Sequence, residues 1–172
     1  MFRKPADAFT AATHRDSGFS FDNERTMTQA ALRERLATLY AALRLGQLDF
    51  VLNALDDNVE FVSYSPLAIF PFLGHRRGKA AMAEALKGAH DEFDIVSYEP
   101  LSIVAESKEA AVVLFVHGVN RKTRRSVQLS VAHFVRFKNG KIVEIKEFMD
   151  SFSAAEQVLG RDLDIGSSHH LL

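Results

Sequence analysis

The chain contains no cysteine. That excludes a disulfide framework, thiolate catalysis and cysteine-ligated zinc, and says little about compartment. A strong charge of either sign is also missing. With a formal net charge of −1, no bulk field draws nucleic acid or an anionic membrane to the surface. No apolar run approaches the roughly 20 residues that span a bilayer, and the N-terminus lacks the apolar stretch of a secretory signal. The expectation is a cytoplasmic protein with neither a nucleic-acid nor a membrane partner. Metal-binding spacings are absent as well: the chain has no HExxH and no HxH. His169-His170, near the end, is at most an adventitious pair. What remains is a chain of 172 residues, 47% of them hydrophobic, enough for one domain with a sizeable core and no internal repeat.

The most structured stretch is SVQLSVAHFVRFKNGKIVEIKEFMDS, from Ser126 to Ser151. It reads as two long antiparallel strands joined at Asn139-Gly140. Before the turn, Val127, Leu129, Val131, His133, Val135 and Phe137 share one face, apolar except for a single histidine. After it, Val143, Ile145, Glu147 and Met149 alternate with Ile142, Glu144, Lys146 and Phe148. Two registers are open. A two-residue type I′ turn at Asn139-Gly140 sets His133 opposite Lys146. A three-residue loop, with Gly140 left-handed in a bulge, sets His133 opposite Ile145 and Glu147 opposite Val131. A slip of one residue exchanges the faces of a strand, so the choice decides whether Glu147 points inward. Burial favours the bulged loop, because it puts Val143 and Ile145 against the apolar face. His133 and Glu147 then enter from adjacent strands, one pair apart along the ladder.

Residues 1–27 lack sustained periodicity and are expected to form a mobile N-terminal arm. Their basic residues suggest a transit peptide, but Asp7, Asp16, Asp22 and Glu24 argue against one. Met27 is an alternative start, since regular structure begins just after it. Leu32, Leu36, Leu39, Tyr40 and Leu43 recur at helical spacing over 28–45, with Thr28 as N-cap and Gly46 as the stop. A shorter helix carries Leu48, Val51, Leu52 and Leu55, and a strand follows over 59–64. Residues 65–78 hold two prolines and two glycines and read as an apolar loop. A helix spans 79–90, with Met82, Leu86 and Ala89 or His90 facing in. Four strands follow over 93–105, 110–120, 126–138 and 141–151, with Pro100 marking an edge or a bulge in the first. Arg121 to Arg125 forms a basic hairpin tip, read as a solvated turn. A short helix over 154–159 ends the domain, taken as 28–160, and 161–172 is expected to be a frayed tail.

Helix, helix, strand, loop, helix and then four antiparallel strands is an informative order at this length. Tyr40-Ala41-Ala42-Leu43 precedes Gly46-Gln47-Leu48-Asp49 and Leu55-Asp56-Asp57-Asn58-Val59-Glu60-Phe61. Pro71 to Lys79 leads into the third helix. Ala132-His133-Phe134 runs through Gly140-Lys141-Ile142 to Glu147-Phe148-Met149-Asp150. Together these strings resemble the nuclear transport factor 2-like superfamily, which includes ketosteroid isomerases, limonene epoxide hydrolases and SnoaL-like polyketide cyclases. The resemblance implies an α+β fold, a cone-shaped curved antiparallel sheet wrapped around N-terminal helices (a cystatin-like α+β roll), with a deep apolar pocket. It implies that the last-strand acid of the epoxide hydrolases falls on Glu147. Their earlier arginine–aspartate pair is not matched in Val112–His117, nor is the early-strand aspartate of ketosteroid isomerase in Val59–Tyr64. The SnoaL-like subgroup is the nearest pattern. It implies cofactor-independent acid–base chemistry, of isomerase, cyclase or hydrolase type, on a small hydrophobic molecule. The alternative is a ligand-binding or association domain without catalysis.

On this reading Glu147, His133 and His117 are the candidate catalytic residues. A buried, satisfied histidine would explain His133 without chemistry. Glu147 is harder to dismiss, since burying an unpaired carboxylate costs several kcal/mol. Tyr64, Phe61, Phe72 and Val131 are the candidate ligand contacts, with Phe70 and Phe72 as a lid, and His75 is placed at the surface. No metal and no cofactor are expected. Finally, the strand containing Val112, Leu114 and Val116 on one face and Val113 and Phe115 on the other is apolar on both. One face lines the cone and the other needs a cover, so a homodimer is expected.

Overall fold

The computed structural model describes residues 27–164. The expected arm (all but Met27), the tail beyond Asp164 and His169-His170 lie outside the described residues. Thr28 begins the first helix, α1 (Gln29–Arg44), as its cap: the hydroxyl oxygen accepts from the Ala31 amide at 3.2 Å. Leu32, Leu36, Leu39 and Tyr40, one helical stripe, are all buried. The helix ends at Gly46, whose φ of +69° suits glycine. There Gly46 N–H donates to Leu43 O at 3.0 Å and Gln47 N–H to Ala42 O at 2.9 Å. The second helix, α2 (Leu48–Ala54), stops one residue short of Leu55. Leu55 is extended and starts strand β1 (Leu55–Ser63), where it pairs with Ile142.

The segment expected to be loop contains a short strand, β2 (His75–Arg77), antiparallel to β1. Then come α3 (Lys79–Glu92), β3 (Phe93–Glu106), β4 (Glu109–Asn120), β5 (Ser126–Lys138), β6 (Lys141–Met149) and α4 (Ser151–Leu159). The six strands form one curved, unclosed sheet in the order β2-β1-β6-β5-β4-β3. The contact between β1 and β6 is parallel, the others antiparallel. β1 therefore lies beside the last strand and borders the same rung as Glu147. α1 packs on β3, and α3 packs on β1, β2 and β3. The main core lies between these helices and the inner face, around Leu32, Leu36, Leu55, Val59, Val112 and Leu114. A second apolar cluster gathers Phe70, Phe93, Val127 and Ala154. No helix among the described residues is long and apolar enough to cross a membrane.

Register differs from both turn alternatives. Asn139 and Gly140 have φ of +48° and +71° and link the pair Lys138–Lys141. That is a two-residue turn, not the favoured three-residue loop. Phe137 pairs with Ile142, but Arg136 pairs with Glu144, leaving Val143 as an extra residue. The bulge lies one rung inside the ladder and restores odd-to-odd pairing. His133 therefore stands directly opposite Glu147, not diagonal to it. β3 carries two comparable shifts, between Ile95 and Ser97 and between Pro100 and Ser102. Pro100 thus sits beside a bulge on an edge strand, as its missing N–H requires.

The hairpin tip is more committed than a solvated turn. Arg121 pairs with Asp94 at 2.8 Å and donates to His90 O, and Arg124 reaches the same carboxylate at 3.2 Å. Arg125 donates to Leu159 O at 2.7 Å, closing the C-terminal end of α4. These cations hold the tip to the domain.

Candidate active site

β5 and β6 carry the centre of the site because both strands present inward positions at the same rung. His133 Nε2 lies 2.9 Å from Glu147 Oε2, with both side chains buried. Two further residues complete a line. Tyr40, from α1, holds its hydroxyl 3.0 Å from His133 Nδ1. Ser63, the last residue of β1, donates its hydroxyl to Glu147 Oε1 at 2.7 Å. The chain Ser63–Glu147–His133–Tyr40 draws on a helix and three strands. As a carboxylate, Glu147 only accepts. His133 then carries its proton on Nε2, and Nδ1 accepts from Tyr40. Burial first, and then the nearby Glu147 charge, hold the Tyr40 hydroxyl well above the ordinary tyrosine range, so it stays a neutral donor. Each carboxylate oxygen accepts one hydrogen bond in this line and keeps lone-pair capacity for a ligand.

The line borders a cavity of about 120 Å³ whose wall is almost wholly apolar, with Leu36, Leu39, Phe61, Val135, Ile142 and Ile145 among the lining residues. His90 also reaches it. Burial and then Arg121 lower its pKa, outweighing the Leu43 carbonyl and Asp91, so it is held toward the neutral form. A second cavity of about 110 Å³ shares Glu147 and Tyr98 with the first. Tyr98 stacks on Tyr40 with ring centroids 5.8 Å apart. Its hydroxyl has no hydrogen-bond partner among the described residues. Burial, Glu147 and Tyr40, in that order, keep it neutral. No group of three His, Cys, Asp or Glu among the described residues is placed to hold a metal ion.

Of the candidates from sequence, His133 and Glu147 meet. Phe61 lines the first cavity, and Phe72 and Val131 line the second. His117 does not join them. Val112, Leu114 and Val116 take the inward phase of β4, so His117 faces outward and bonds Ser126 Oγ at 2.9 Å. Tyr64 is likewise outside: it is 54% exposed and stacks on Phe148 at 4.6 Å. Only its backbone is near the site, donating to Glu147 O at 2.9 Å. His75 is exposed and pairs with Glu60 at 2.9 Å. Tyr40, Ser63 and Tyr98 carry no role in the sequence reading. Tyr40 reads as one more core residue of a helical stripe, and Ser63 as the small member of an inward face. Tyr98 is hidden by the bulge at Val96, which puts it on the same face as Ile95 against strict alternation.

The comparisons agree with this architecture. The SnoaL-like domain matches residues 36–145. The crystal structure of a "putative isomerase" from Rhodopseudomonas palustris is 31% identical. The match covers 78% of this chain and 100% of that one, with a TM-score of 0.69. An NTF2-like protein from Burkholderia xenovorans is 25% identical, over 77% and 98% of the two chains, with a TM-score of 0.66. A "putative polyketide cyclase" from Xanthomonas campestris, at 18% identity, 76% and 98% coverage and TM-score 0.64, shares the fold. No curated protein matches the sequence. The matched span runs from within α1 to within β6 and holds His133, while Glu147 and α4 lie just beyond it. The chain belongs to the SnoaL-like family of the nuclear transport factor 2-like superfamily.

Proposed function

We propose that the protein is a cofactor-independent acid–base enzyme, of isomerase, cyclase or hydrolase type, acting on a small hydrophobic organic molecule. The observation that carries this is the buried line Ser63–Glu147–His133–Tyr40 against an otherwise apolar cavity. A carboxylate in such a place needs a reason, because desolvation without partners costs several kcal/mol. Among the described residues no Lys or Arg pairs with it; its partners there are a histidine and a serine. Glu147 is the proton acceptor, for example from a carbon next to a carbonyl. His133 orients it and shares the charge, and Tyr40 holds the histidine ring. Phe61, Phe72 and Val131 contribute apolar contact. The unit that carries this activity runs from 28 to 160.

The homodimer is part of the proposal. Phe134, Phe148, Tyr64, Val113 and Val104 are exposed at 52, 41, 54, 43 and 64%. On the outer face Tyr64 stacks on Phe148, which meets Phe134 edge-on, a patch that supports sheet-to-sheet pairing of two copies.

The test is a turnover screen of cyclic ketones, lactones and epoxides with the wild type, Glu147→Gln and His133→Asn. General acid–base catalysis contributes roughly 10²–10⁴-fold. Glu147→Gln is expected to lose that factor with the fold intact, and His133→Asn a smaller one. Equal activity in wild type and Glu147→Gln on every substrate turned over would overturn the reading in favour of a binding domain without catalysis.

A further inference from the structure

The two cavities share Leu73, Ala89, Ile95, Tyr98 and Glu147 along their common side. Beyond that waist their walls differ. The first is mainly aliphatic, the second phenyl-rich, with Phe70, Phe72 and Phe93. At about 120 and 110 Å³, each falls below the roughly 300 Å³ at which ordinary ligand pockets begin. Each is nearer the ~150 Å³ of an apolar cavity that admits benzene. One ring fills one lobe. A larger ligand has to cross the waist, where the polar side chains common to both lobes are Glu147 and Tyr98.

Those two are complementary. Glu147 accepts. Tyr98 is a neutral phenol whose hydroxyl bonds none of the described residues, whereas the Tyr40 hydroxyl beside it is spent on His133. Tyr98 is half-buried and lines both cavities, so its hydroxyl is available to an acceptor on a bound molecule.

We propose that the two cavities are halves of one ligand site, built for a molecule with two small apolar rings joined through a carbonyl carbon, and that Tyr98 donates a hydrogen bond to the carbonyl oxygen at the waist. The assignment rests on the acid–base reading for what Glu147 does to the bound molecule, and on geometry alone for what binds. It makes Tyr98 a specificity residue. A ligand without the oxygen leaves the hydroxyl unpaired, and a ligand with one ring leaves a lobe empty.

The experiment uses the full chain and three probes: benzophenone, diphenylmethane and acetophenone. Affinity is read by calorimetry and the ketone stretch of bound benzophenone by difference infrared spectroscopy. Benzophenone is expected to bind at least about tenfold tighter than acetophenone, with its stretch lowered by the hydrogen bond. In Tyr98→Phe the lowering disappears and benzophenone weakens about tenfold, the size of one neutral hydrogen bond, while diphenylmethane is unchanged. Leu129→Phe narrows the second lobe and weakens both two-ring probes but not acetophenone. Gly118→Ala, on the same wall, serves if that variant does not fold. Three results overturn the proposal: benzophenone no tighter than acetophenone, a stretch unmoved by Tyr98→Phe, or diphenylmethane weakened by Tyr98→Phe as much as benzophenone is. None of these arms uses turnover. If Glu147→Gln keeps full activity while they hold, the acid–base reading falls and the two-lobed site stands.

Discussion

Tyr40→Phe separates the hydrogen-bonded line from its apolar surroundings with the loss of one oxygen. The ring is buried and stacked on Tyr98, so phenylalanine retains the packing. The variant leaves His133 Nδ1 without its 3.0 Å partner. Leaving such a buried acceptor unsatisfied costs about 1–2 kcal/mol at neutral pH. For a chain of this length that is a fall in Tm of roughly 2–8 °C. The pH dependence adds a second, independent signature. Burial and Glu147 raise the Tyr40 pKa in the folded state above the ordinary 10.0. The protonated hydroxyl is therefore favoured by folding, and this contribution is complete below pH 10. It is lost as pH rises above that value, because the unfolded chain ionises while the folded one does not. By pH 11 the wild type has given up about 1.4 kcal/mol at this residue, a loss that Tyr40→Phe does not share. The urea-unfolding midpoints of the two proteins, about 0.5–1 M apart at pH 8, should draw together by pH 11. A stability gap that stays constant from pH 8 to 11 would refute the assignment of Tyr40 as a buried neutral donor.

Three further outcomes follow from particular contacts. In Gly88→Ala the new methyl would stand 2.5 Å from Phe72 Cβ, so Phe72 must move, at about 1–3 kcal/mol; calorimetry should show weaker binding of two-ring probes. A thermal melt of Gly160→Ala should show a loss of about 1–2 kcal/mol, because the position has φ +65° and the methyl would meet the Arg125 guanidinium at 2.3 Å. A melt matching the wild type would show that position 160 does not hold the left-handed conformation that ends α4. Phe134→Asp puts a charge into the exposed aromatic cluster. Light scattering at micromolar concentration should report a dimer for the wild type and a monomer for the variant; a monomeric wild type ends the dimer proposal.

Local patterning alone determined a large part of this molecule. Thr28 and Gly46 bound α1 because caps are read from side-chain and backbone chemistry within a few residues. The inward face of β5, Val127 to Phe137, follows from strict alternation along an unbulged strand. His133 and Glu147 were recognisable as ionisable residues among apolar neighbours for the same reason. What local patterning did not decide was register. Ile142 and Val143 are equally apolar, so nothing within β6 says which is the extra residue. That was settled by pairing with β5 on one side and β1 on the other. The same holds at Val96, where a bulge places Tyr98 at the waist of the two cavities. Tyr40 and Ser63 lie 93 and 84 residues from the partners they bond. A hydroxyl on a core stripe and a serine on an inward strand look the same whether or not they have such partners. Only the tertiary sheet order, with β1 beside β6 and α1 across the inner face, brings their oxygens within hydrogen-bond distance of His133 and Glu147.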